Sequence, residues 1–218
     1  MAWRGTGALL ALGLIGCGGG YAVAAATSGV PADSEPRPLV AVSPAYPQAI
    51  PITVKPDPAF PALLPGVPLE RERLGGKYGI TVSGPRGWVR NITDVQGEWN
   101  YAAPAAPLNS YVLRIKLIGN MRATVASALS TRMSQLENAG AVERWNLENQ
   151  GPDSFVATYV QVDPEDDPFS GYTRLTMERF LTLPGNDNAQ VEVAVTGRLR
   201  DRSGLADLLQ RVSDRVVR

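Results

Sequence analysis

Eleven of the chain's 18 prolines stand between Pro31 and Pro68. Proline holds φ near about −65° and removes a backbone donor, so neither a helix interior nor a central strand runs through such a block. The 218-residue chain therefore reads as three parts: a hydrophobic leader over residues 1–26, a Pro-rich linker over 27–70 and a globular domain over 71–218. Before Glu70 the linker carries only five charged residues, Asp33, Glu35, Arg37, Lys55 and Asp57. Extended at about 3.1 Å per residue, it reaches at most ~130 Å. It reads as a disordered spacer, with Pro56-Asp57-Pro58-Ala59-Phe60-Pro61 as the stretch that a docking segment would use.

The leader is an address. Gly7 to Ala26 contains no charged residue, and about 20 helical residues at ~1.5 Å each span a bilayer's hydrocarbon core. Three processing routes stay open. Leu14-Ile15-Gly16-Cys17 has the form of a lipobox, which would leave Cys17 acylated. Ala22-Val23-Ala24 and Ala24-Ala25-Ala26 are small-x-small sites for an ordinary signal peptidase. Uncut, the segment is a membrane anchor. Arg4 before the apolar run fits an N-inside orientation, so each route puts the domain outside the cytoplasm.

Composition narrows the chemistry. With no His there is no Ser-His-Asp triad, Cys-His pair or His-containing zinc site. Cys17 is the single cysteine, so the exported part has no disulfide and holds together by packing. The 21 basic and 21 acidic residues balance, which gives no electrostatic footprint for nucleic acid. Arginine outnumbers lysine 18 to 3, as coding in a high-GC genome favours.

Periodicity organises the domain. Strands are expected at Tyr78–Val82, Trp88–Ile92, Gly97–Ala102 and Ser110–Ile118. In the last of these Tyr111, Leu113, Ile115 and Leu117 form the apolar face, which leaves Arg114 and Lys116 to water. Met121, Val125, Leu129, Met133 and Leu136 share one helix face, with Gly140 as a stop. Strands near Val142–Leu147, Ser154–Val162, Tyr172–Leu183 and Ala189–Arg200 follow, the last two joined by the turn residues Pro184–Asn188. Leu205, Leu208, Leu209, Val212 and Val216 mark a closing helix capped by Ser203 or Asp201, with Arg211, Arg215 and Arg218 at its C-terminal end. This order describes an α+β fold, an antiparallel β-sheet with packed helices.

Candidate sites are few. Asp163, Glu165, Asp166 and Asp167 cluster, but they lack the glycine-centred loop of a calcium site and read as a solvated hairpin tip. A Ser-Lys dyad would need Lys77 or Lys116 buried and neutral. Paired carboxylates for glycoside hydrolysis find no recognisable setting. Asn91-Ile92-Thr93 matches a glycosylation sequon, a short pattern that carries little meaning by itself. Trp88, Trp99, Tyr101 and Tyr111 concentrate aromatic surface, either as core packing or as a groove for a lipid, glycolipid or partner segment.

The exported Pro-rich lead-in, Tyr78-Gly79-Ile80-Thr81-Val82, Pro85-Arg86-Gly87-Trp88 and Leu113-Arg114-Ile115-Lys116-Leu117 together resemble the LpqN/LpqT family of actinobacterial lipoproteins and related proline-rich secreted antigens. The resemblance covers Lys77 to Arg218 and rests mostly on element order. It implies a PsbP-like α/β/α sandwich, similar to an extrinsic protein of photosystem II and to a nuclear-import Ran-binding factor. It also implies a binding or adaptor role without catalytic residues. The chain departs from the family in the apolar run that continues past Cys17. The expectation is a membrane-tethered, non-enzymatic domain of the cell envelope, without cofactor, metal or nucleic acid, that engages an envelope protein or lipid. The alternatives are an envelope hydrolase using a carboxylate pair or Ser-Lys dyad, and a structural surface antigen. Oligomeric state stays open.

Overall fold

The computed structural model describes residues 53–218, apart from 77–78, 93–95, 105, 107–109, 120–121, 163–169 and 186. The leader with Cys17, the first half of the Pro-rich block, Lys77, Met121 and the Asp163–Asp167 cluster lie outside the described residues. The chain separates into two units, Met1–Ile50 and Pro51–Arg218. The second begins twenty residues ahead of the expected Arg71 boundary, because residues 53–68 pack onto the domain.

Nine strands and two α-helices are described in this unit. Strands β1 (Leu69–Leu74) and β2 (Ile80–Pro85) form an antiparallel ribbon, with Leu74 opposite Ile80 and Leu69 opposite Pro85. Strand β1 falls on the margin of the expected linker. Its Leu-Glu-Arg-Glu-Arg-Leu sequence shows water two charged pairs and hides little beyond Leu74, so its hydrophobic pattern is faint. Gly87, at φ 79°, turns the chain out of the ribbon, a conformation that costs glycine little. Hence β3 (Val89–Ile92) does not continue β2; it enters a different sheet.

That sheet also holds β4 (Glu98–Ala102), β5 (Val112–Leu117), β6 (Val142–Gln150), β7 (Ser154–Gln161), β8 (Thr173–Leu181) and β9 (Val191–Gly197). Its spatial order is β3-β4-β5-β9-β8-β7-β6, and every pairing is antiparallel. Strand β9 is central, and its Val191, Val193, Ala194 and Val195 are all buried. Edge strand β6 carries two register shifts and is mostly charged or amide-bearing, which discourages further strand pairing.

Helix α1 (Val125–Glu137) opens on Thr124, whose Oγ1 accepts the Ser127 N–H at 3.1 Å. It closes at Asn138, two residues before the expected Gly140, with the Asn138 side-chain amide and backbone N–H both on the Ser134 carbonyl. Helix α2 (Arg202–Ser213) follows a 3₁₀ turn, Leu199–Asp201. Asp201 stands in the cap position, but its carboxylate does not cap the helix; it serves other partners described below.

The two sheet faces differ. On one, Leu113, Ile115, Leu175, Met177, Val193 and Val195 meet Leu205, Leu208 and Val212 of α2 and Ile80 and Val82 of β2. Each such buried aliphatic side chain contributes roughly 1.5–3 kcal/mol. On the other, α1 sits on a smaller cluster built from Leu129, Phe155, Ala157 and Phe180. No described helix is long and apolar enough to cross a membrane.

Candidate functional site: a charged sheet face beside helix α1

The α1 side of the sheet carries charge where the opposite side is aliphatic. Cross-strand register sets Arg114 of β5 opposite Ala194 of β9, and Ala194 opposite Glu178 of β8. Glu192 of β9 neighbours Lys116 in the same way. From above, Arg132 of α1 descends between them. Its Nε and Nη2 donate to the two oxygens of Glu178 at 2.9 and 3.0 Å, a paired geometry that fits guanidinium to carboxylate. Arg132 Nε also lies 3.7 Å from Glu192, and Arg114 bonds Glu192 while standing 3.6 Å from Glu178.

Two cations therefore hold two carboxylates, and Glu178 is only 1% exposed. Burial, then the neighbouring Glu178 charge, raises the Glu192 pKa, and Arg114 and Arg132 pull against that rise. The alternation rule correctly placed Arg114 away from the aliphatic core. It missed that this face is roofed by α1, so Arg114 is paired rather than solvated. The missed signal lay in Thr176, Glu178, Glu192 and Thr196, polar residues within strands central to the sheet; such positions hold polar groups only where partners await them.

Beyond α1 the floor opens. Glu98, Asn100, Val112, Arg114, Arg132, Tyr159, Thr176 and Thr196 surround a cleft of about 210 Å³. The hydroxyls of Thr176 and Thr196 face each other at 3.3 Å. Burial raises the Tyr159 pKa, which keeps its phenol a neutral donor. The Nε of Arg114 is buried without a hydrogen-bond acceptor among the described residues. A second cleft of about 290 Å³ runs along the first turns of α1, between Lys116, Ser127, Arg132, Phe180 and Glu192.

The aromatic residues singled out in the sequence lie on the opposite, aliphatic side. Trp99, Tyr101 and Tyr111 are 8, 2 and 7% exposed and belong to the main core, and half-buried Trp88 packs against them. Tyr111 meets Trp88 at 5.7 Å and Phe60 at 6.2 Å between ring centres. The Tyr101 hydroxyl donates to Glu72 at 2.7 Å, and burial followed by that carboxylate drives its pKa upward. Lys116, the described member of the dyad candidates, is part-exposed and pairs with Glu98 at 3.8 Å. Among the described residues no cluster of acidic, His or Cys side chains could hold a metal ion.

An antiparallel sheet with a helix on one face and a helix plus ribbon on the other is an α+β sandwich. Among solved structures, the chain is similar to the Ran-binding protein Mog1p of Saccharomyces cerevisiae. That likeness has 12% identity and a TM-score of 0.46, over 68% of this chain and 95% of Mog1p. It is also similar to LpqN of Mycobacterium tuberculosis, a protein involved in cell envelope biogenesis. Here identity is 13% and the TM-score 0.37, over 68% of this chain and 90% of LpqN. No family model and no curated protein matches the sequence.

Proposed function

We propose that this chain is an extracytoplasmic, membrane-tethered binding module of an actinobacterial cell envelope. In this reading it works without catalysis and engages a protein partner through the open part of the α1-side sheet. The observation that carries it is the contrast between the two faces. Trp99, Tyr101 and Tyr111 are buried in the main core cluster. The polar floor from Asn100 through Arg114 to Thr196 is part-exposed and lines a cleft, and it carries both donors and acceptors. Protein partners are met by surfaces of that kind, in which polar groups set register and specificity.

The carboxylates support the same reading. Glu178 and Glu192 stand side by side, each engaged by guanidinium groups, whereas a hydrolytic pair faces across a substrate with one group free to give a proton. The apolar leader supplies the tether and Arg4 its orientation. Tethering raises the module's effective concentration toward partners in the same membrane.

A photo-crosslinking residue placed at Asn100 or Val112 in the membrane-bound full chain tests this. Discrete crosslinked protein species are expected from those positions and not from Glu143 on β6. Crosslinks to lipid alone would favour a lipid carrier. Turnover of an envelope glycan by the purified chain, lost on Glu178→Gln, would favour the hydrolase.

A further inference from the structure

On the far side of the sheet, the second half of the proline block is held as a strap by a buried ion pair. Arg198, 1% exposed, makes five side-chain hydrogen bonds. Two go to Asp201, both at 2.8 Å; the others reach the carbonyls of Pro58 (3.2 Å), Phe60 (3.0 Å) and Pro61 (2.8 Å). Asp201 in turn accepts the Leu63 N–H at 2.9 Å. The guanidinium also lies over the rings of Phe60 and Tyr111, at 5.8 and 6.0 Å. Gly204 of α2 admits the strap's backbone, since a Cβ there would stand 2.2 Å from the Leu63 carbonyl oxygen.

This is a peptide groove, and what it asks of an occupant is specific. It needs carbonyls at a first proline, an aromatic residue and a second proline, a ring for the guanidinium, and an N–H two residues beyond. At positions 58 and 61 the groove engages the backbone carbonyls, which proline retains. Empty, it would keep the Arg198–Asp201 pair but leave three guanidinium donations and one carboxylate acceptance unmet. The sequence contains the pattern twice: Pro44-Ala45-Tyr46-Pro47 repeats Pro58-Ala59-Phe60-Pro61 fourteen residues upstream, with Ala49 at the place of Leu63.

We propose that the groove is an exchangeable peptide site, and that its second occupant is the Pro44–Pro47 segment of a neighbouring copy of this chain. Each copy's own strap fills the groove by default, since it is covalently attached and brings the larger Leu63. When the strap frays in a crowded population, the upstream motif of a neighbour satisfies the same Arg198 and Asp201 atoms and links the two copies. This surface is separate from the α1 side, so the inference stands or falls independently of the partner proposed above.

The test uses full-length chain in one detergent and a labelled peptide of residues 43–50. Phe60→Ala removes the strap's ring and leaves its three carbonyls. The peptide is expected to bind this variant at least tenfold tighter than wild type, and to lose that binding when its own Tyr46 is replaced by alanine. A second arm leaves the described domain untouched: wild type should dimerise with rising concentration in sedimentation, and Tyr46→Ala should remain monomeric. If Phe60→Ala does not fold, this arm decides. A wild type that stays monomeric, self-association indifferent to Tyr46→Ala, or equal binding of the two peptides by Phe60→Ala would overturn the proposal.

Discussion

At the scale of single residues, Arg198 and Asp201 show how a charge becomes tolerable inside a small domain. Burial disfavours the Asp201 carboxylate, yet the Arg198 side chain and the N–H groups of Leu63 and Arg198 outweigh that and hold its pKa below the ordinary 3.8. A depressed carboxylate adds stability above its unfolded value and loses it as pH falls through its folded one. Stability should therefore decline below about pH 4, and Asp201→Asn should remove part of that acid dependence in denaturant titrations. Glu192 acts with the opposite sign. Its raised pKa means the folded state holds the proton more tightly, so its contribution diminishes as pH rises past the ordinary carboxylate range. Glu192→Gln should flatten that decline. Arg198→Met removes one partner of a buried pair and should cost about 3–5 kcal/mol, measured as a shift in urea midpoint. Gly204→Ala drives a methyl into the Leu63 carbonyl and should cost about 1–3 kcal/mol.

At the scale of elements, α1 and α2 are attached by different forces. Helix α2 presents Leu205, Leu208 and Val212 to the main core, all fully buried. Helix α1 buries Leu129 as its single fully enclosed side chain, adds the partly buried Val125, Ala128, Met133 and Leu136, and is tied to the sheet by the Arg132–Glu178 pair. Arg132→Ala leaves Glu178 with only Arg114 nearby, so α1 should loosen before the sheet does. Amide exchange across residues 125–137 should accelerate at least tenfold, while β9 remains protected. The heptad-like spacing of Val125, Leu129, Met133 and Leu136 made α1 legible in the sequence; its dependence on a charge partner 46 residues away was not. Strand β5 was legible for a similar reason, since its alternation records which side faces the aliphatic core. Strand β1 was not, because its stability comes from pairing with β2 and not from its own composition.

At the scale of the whole molecule, the relevant boundary lies at Pro51, inside the proline block. Proline forbids ladders but not packing. Lys55 pairs its backbone with Gly171, Arg198 collects three carbonyls, Gly66 donates to Asp207 and Arg211 donates to Val67. A chain shortened to residues 51–218 should melt like the full-length protein. One shortened to 71–218 loses Leu63, the first two residues of β1 and the three carbonyls that Arg198 binds, and should show no cooperative transition in calorimetry.

From the sequence alone one reads the absence of histidine, the confinement of cysteine to Cys17, the order of nearly all elements, and which side of β5 faces the aliphatic core. Those properties are local: each is written in the spacing of neighbouring residues. Only the tertiary structure decided that the four aromatics are core or its margin, that the apparently solvated Arg114 belongs to a neutral cluster with Arg132, Glu178 and Glu192, and that part of the linker is a strap. Such pairings join residues from 46 to 140 positions apart, and a hydrogen bond or ion pair at that range leaves no periodic trace. Side-chain type records what a residue needs, and the fold alone determines where the need is met.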